Sequence, residues 1–99
     1  MKIEYDDDLL EYMEKKGMTS IAVEVVTSNS DIEITELHVH LLQDKLVEYY
    51  KNKKGFRSVQ GAAGEVLLPP YRLEYDDTIR FSLKKFWFFR DVGYAGIRL

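Results

Sequence analysis

The sequence predicts an α+β domain with one clear N-terminal helix and a mainly antiparallel sheet. Three observations predict it. One segment near the start carries the helical apolar period and has a stop signal on each side. The later segments are β-branched or aromatic and mostly alternate apolar with polar. The elements follow in the order β-α-β-β-(α)-β-β-β, without the regular βαβ alternation of a parallel sheet. At 99 residues the chain is one domain, 1–99, with a modest core.

Each element has a local justification. Lys2 to Tyr5 alternates and makes a short strand. Asp6-Asp7-Asp8 supplies an N-cap and negative charge at a helix start. Leu9, Tyr12 and Met13 then fall on one helical face, Lys15 and Lys16 suit the carbonyl end, and Gly17 is the left-handed stop. Thr19 to Val26 is a strand with Ile21, Val23 and Val25 on one face. Thr27 to Asp31 is a polar turn, and Ile32 to Leu42 returns as the second strand of a hairpin. Gln43 to Gly55 has helical spacing through Leu46, Val47, Tyr49 and Tyr50 and reads as a short helix or irregular turn.

Phe56 to Gly64 is rich in Gly and Ala and reads as loop. Glu65 to Leu68 is a short strand that Pro69-Pro70 ends, and Tyr71 to Tyr75 extends it. Asp76-Asp77 reads as a turn. Thr78 to Leu83 alternates, with Ile79, Phe81 and Leu83 inward; Gly96 to Leu99 is a last short strand. The expected core is Ile21, Val23, Val25, Leu37, Val39, Ile79, Phe81 and Leu83, covered by Leu9, Tyr12 or Met13.

Composition excludes several functions. With no cysteine, the chain has no disulfide, no thiolate nucleophile, no zinc–thiolate site and no cysteine-bound iron–sulfur cluster. Fourteen basic residues face 17 acidic ones, for a net charge of −3, which gives no overall pull toward nucleic acid or an anionic membrane. No apolar run approaches the ~18 residues of a membrane span. Met1 to Asp8 is acidic and lacks an apolar signal core, so a cytoplasmic location is expected. Ser28 and Ser30 have no evident base nearby, and Gly61-Ala62-Ala63-Gly64 lacks the Lys and Ser of a phosphate loop. The expectation is a non-enzyme without a cofactor, free of nucleic acid and membrane, with a protein partner or a second copy as its ligand.

Three constellations are candidates for function. Glu36, His38 and His40 alternate onto one face of a strand, neighbours about 6.5–7 Å apart. Two imidazoles and a carboxylate can hold zinc or ferrous iron with open positions. The same pattern also fits an ordinary solvent-facing strand surface. Lys45, Lys51, Lys53, Lys54 and Arg57 are interleaved with Tyr49, Tyr50 and Phe56. That mixture can grip single-stranded nucleic acid, but the acidic net charge favours a solvated face with tyrosines packed inward. Phe86-Trp87-Phe88-Phe89 reads as strand, with one aromatic pair on each face. Core on both sides is expected, because the first helix must cover one face of the sheet; a partner surface is the alternative.

The whole chain also resembles the HesB-like family of iron–sulfur biogenesis proteins, including its branch with a Cys/selenocysteine motif. The residues that carry the resemblance are M-K-I-E-Y, a short helix ending K-K-G, I-A-V-E-V-V-T-S, and Y-D-D-T-I-R-F-S-L-K-K-F-W-F-F-R-D-V-G-Y-A-G-I-R-L. The resemblance implies a compact sandwich of short, mainly antiparallel strands. It also implies a cysteine-less member. Ser stands in Thr27-Ser28-Asn29-Ser30 where the family places a cysteine, and Gly93 to Leu99 has no paired cysteines. A serine hydroxyl replaces a thiolate ligand poorly. The implied role is therefore binding or regulation linked to iron–sulfur metabolism, without cluster carriage.

Overall fold

A computed structural model describes residues 1–29 and 33–99. Its elements in order are β1 (Lys2–Tyr5), α1 (Asp7–Lys16), β2 (Ser20–Asn29), β3 (Glu33–Leu42), α2 (Asp44–Asn52), β4 (Arg57–Gly61), β5 (Gly64–Leu68), β6 (Glu74–Phe86) and β7 (Phe89–Arg98). The strands form a three-stranded sheet of order β1-β6-β7 and a four-stranded sheet of order β3-β2-β5-β4. Three strand pairs are antiparallel; β1 with β6 and β2 with β5 are parallel. The α+β class and the N-terminal helix are as the sequence predicts.

The two sheets face each other across one core. Ile21 and Val23 of β2 and Val66 and Leu68 of β5 meet Ile79 and Phe81 of β6 and Ile97 of β7. Leu9 and Met13 of α1 join the same cluster. Strand alternation sends Ala22 and Leu67 to the outer face, where α2 covers them with Val47 beside Leu42. Ile21 to Val23 and Val66 to Leu68 are therefore buried on both faces. Val25, Leu37, Val39 and Leu83 are only half-buried, nearer the rim than expected.

Helix α1 begins as its caps dictate. An Asp6 carboxylate oxygen accepts from the Leu9 N–H at 2.8 Å, and the other accepts from Leu83 N–H at 3.3 Å. One side chain thus starts the helix and pins it to β6. Gly17 closes it at φ 69°, the left-handed region.

Tyr71 to Tyr75 does not extend β5, since Glu74 and Tyr75 open β6 in the other sheet, and the last strand runs over Phe89–Arg98 rather than from Gly96; beyond these, four local expectations need correction. Phe56 to Gly64 is not loop: β4 and β5 form a hairpin there, paired from Arg57↔Leu68 to Gly61↔Gly64. Its glycines serve close approach rather than looseness. A side chain at Gly64 (φ +126°) would strike the Thr19 carbonyl, and one at Gly61 would strike the Tyr5 ring. Asp76-Asp77 is not a turn but lies within β6, at a register shift between Tyr75 and Arg80. Thr27 to Asn29 continue β2, paired out to Asn29↔Glu33; Ser30 and Asp31, the rest of the expected turn, lie outside the described residues. The fourth correction, at Phe86 to Phe89, belongs to the site.

Candidate functional site

Glu36, His38 and His40 stand at alternate positions of β3 and share the outer face of the four-stranded sheet. The structure brings them onto one face but divides them into two pairs. His38 Nε2 lies 3.1 Å from Glu36 Oε2, whereas His40 Nε2 lies 3.8 Å from Oε2 of Glu24, a β2 residue. The imidazole centroids are 6.2 Å apart. Among the described residues, no three of His, Cys, Asp and Glu are gathered closely enough to cage a metal ion.

The hub of this face is Glu24, which the sequence reading did not single out. Its carboxylate accepts from Lys54 Nζ at 3.2 Å and lies near the Tyr50 hydroxyl. Lys54 Nζ also sits 4.5 Å from the Tyr50 ring centroid. Burial alone would push the Glu24 carboxyl up. The nearby Tyr50 hydroxyl and the bond from Lys54, with the charges of Lys54 and His40, outweigh it and hold the group below its ordinary value. Burial and the neighbouring Glu24 carboxylate together push the Tyr50 phenol up to about 12. This network ties the end of α2 to the sheet. It also accounts for part of the lysine-rich stretch: Lys54 is paired here, Lys51 bonds Glu65 at 2.6 Å, and Tyr50 and Phe56 pack on the outer core.

A second tyrosine behaves alike. The Tyr5 hydroxyl is buried without a hydrogen-bond partner; burial pushes it up to about 12, and the nearby Ala63 backbone offsets this only in part. Both phenols bind their protons more tightly in the folded chain than in the unfolded one. The fold therefore keeps its stability below pH ~10 and loses it as pH rises from there toward about 12, where ionisation of the phenols favours the unfolded chain. Urea titrations across that range should show the fall. Tyr5→Phe should make it shallower and, at neutral pH, should be neutral or stabilising by up to ~1 kcal/mol, because it removes an orphan hydroxyl and keeps the ring. An unchanged alkaline limb in that variant would contradict the burial of Tyr5.

The hairpin that joins β6 to β7 is the second feature. Phe86 pairs with Phe89 across the strands, so Trp87 and Phe88 form the two-residue turn. This corrects the expectation of an aromatic strand with core on both faces. The three-stranded sheet contributes Phe81 to the core and leaves Leu83 and Val92 half-buried at its rim, and the hairpin then projects beyond them. The helix does not cover its tip. Phe86, Trp87, Phe88 and Phe89 are 62%, 89%, 91% and 74% exposed. Trp87 takes φ 51°, a region where glycine is the residue of choice and a bulky side chain is strained by roughly 1–2 kcal/mol. Arg90 Nη1 donates to the carbonyls of Trp87 at 3.3 Å and Phe89 at 3.1 Å, closing the turn from below.

Between the two features runs an open cleft of about 550 Å³, bounded by Leu37 to His40 on β3 and by Lys84 and Asp91 to Tyr94 on the hairpin strands. No family model matches this chain, and no curated protein or solved structure is found to be similar to it.

Proposed function

We propose that this chain is a non-catalytic binding domain whose contact element is the aromatic tip of the β6–β7 hairpin. One observation carries the reading: four consecutive aromatic residues stand outside the core on a projecting turn. Taking about 150–250 Å² for each aromatic side chain, the tip offers roughly 600–700 Å² of mostly apolar surface, above the ordinary patch of a monomer. Aromatic anchors of this kind dominate binding energies when a partner desolvates them. The strained Trp87 supports the reading further. A turn selected for stability would place Gly there, and a side chain retained against local strain points to a task outside the fold.

The HesB-like resemblance is consistent with this role. A sandwich scaffold without thiolates retains a means of contact and lacks a means of holding a cluster, so the form the proposal takes is a binding or regulatory part in iron–sulfur metabolism. The test is a photo-reactive phenylalanine analogue placed at position 87 in cells, with the same analogue at Tyr71, which is 62% exposed, as a control outside the tip. The expected result is a discrete adduct, to protein or to lipid, from position 87 alone, lost when Phe86 and Phe88 are changed to Ser. No adduct, or the same background from both positions, would contradict the proposal.

A further inference from the structure

Resting on the reading of the tip as a contact element, we infer that its partner is an anionic lipid surface, into whose interface the four aromatic side chains insert. The charge around the tip is the first argument. Lys84, Lys85 and Arg90 flank it, and the end of α1 brings Lys15 and Lys16 to the same side, where they line hollows shared with Arg90. Four carboxylates, Asp6, Asp8, Glu11 and Asp91, lie among these five cations. Of them, only Asp8 forms an ion pair with a flanking lysine, Lys85 at 3.4 Å, and both side chains are more than half exposed, so the pair is weak. The molecule is acidic as a whole, whereas the residues that flank the tip directly are three cations, Lys84, Lys85 and Arg90, against one carboxylate, Asp91. A negative surface would attract that flank, repel the rest and so present the tip first. The expectation of no membrane contact came from net charge and from the lack of a spanning run; neither reports on a local cationic end.

Shape and backbone chemistry are the second argument. The tip is a protruding knob, and its area falls short of the roughly 800 Å² per side of a standard protein interface, so two tips facing each other make a poor dimer. A lipid interface needs no complementary groove. Trp and Phe favour the boundary between headgroups and acyl chains, while flanking Lys and Arg reach back to phosphate along their aliphatic stems. Insertion also penalises unpaired carbonyls. Here Arg90 already holds those of Trp87 and Phe89, and its guanidinium keeps charge at the headgroup level.

Trp87 is the single tryptophan of the chain, so its fluorescence reports on the tip without a label. The purified protein is titrated with vesicles of phosphatidylcholine alone and of phosphatidylcholine mixed with phosphatidylserine. With the mixed vesicles we expect a blue-shifted emission, several-fold weaker acrylamide quenching and strong quenching by lipids brominated near the headgroup. Added salt should weaken the response. Lys84→Ser combined with Lys85→Ser should lower the affinity tenfold or more, and Phe86→Ser with Phe88→Ser should abolish it. An equal response to both compositions overturns the anionic assignment. A shift that depends on protein concentration without vesicles assigns the tip to a second copy and overturns the lipid partner. No response to vesicles alongside a protein adduct from position 87 overturns the lipid surface and leaves the tip as a contact element; silence in both experiments overturns the two readings together.

Discussion

Phe81→Ala should lower the free energy of unfolding by about 3–5 kcal/mol. The ring is fully buried between the two sheets, 6.0 Å from the Tyr5 ring, among Leu9, Ile21, Ile79 and Ile97. Removing it forfeits the transfer free energy of the ring and leaves a cavity that a sandwich held by five strand pairs cannot collapse around. The backbone at this position matters as well: the Phe81 carbonyl accepts from the Asp6 N–H at 3.1 Å, next to the cap of α1. A domain of this size has roughly 5–15 kcal/mol in total, so the variant should be near the limit of folding. Urea denaturation followed by circular dichroism measures it. A loss under ~1 kcal/mol would place Phe81 outside the core and invert the faces of β6.

Gly64→Ala should cost about 3 kcal/mol or more. At φ +126° an L side chain is strained whatever the space, and here the added carbon would meet the Thr19 carbonyl, which is backbone and cannot swing aside. The Glu65 N–H beside it donates to Ser20 Oγ at 3.2 Å, so displacement also loosens the join between β2 and β5. Gly55→Ala is the control. Gly55 has φ +71° but open space around it, so only the conformational cost of about 1–2 kcal/mol applies. Equal losses in the two variants would contradict the close packing of the β4–β5 hairpin on β2.

The difference between those two glycines shows what the sequence could and could not reveal. Helix α1 was legible because its signals are local: Asp6, the Leu9 and Met13 spacing, and Gly17 act within a few residues of one another. The paired strands β2 and β3 were legible from alternation. The β4–β5 hairpin was not, because Gly61 and Gly64 are fixed by what approaches them from 40 or more residues away, Tyr5 and Thr19. Composition alone cannot tell a glycine that frees a loop from one that admits a neighbour. Of the polar site, Glu36, His38 and His40 follow from a period of two, but Glu24, Tyr50 and Lys54 join only through strand register and the docking of α2. The tip was misread for a related reason. Its turn has no Gly, Asn, Asp or Pro to announce it, only Trp87 and Phe88 between two phenylalanines, so the usual turn chemistry gave no signal. The flanking pairs Lys84-Lys85 and Arg90-Asp91 were the clue available: charge closes in on both sides of the aromatic run, as it does where a strand leaves the core.

Under the proposed function, the four tip aromatics serve contact and contribute almost nothing to the fold. Equilibrium urea unfolding of a variant carrying Phe86→Ser, Trp87→Gly and Phe88→Ser, beside the unaltered protein, tests that most directly. Serine removes apolar surface that the native state leaves in water, and glycine relieves the positive φ at 87. The predicted result is a stability within about 1 kcal/mol of the parent, with the Trp87 change on the stabilising side. A loss of ~3 kcal/mol or more would show the aromatics packed into the sandwich and would contradict the exposed tip on which the proposed function depends.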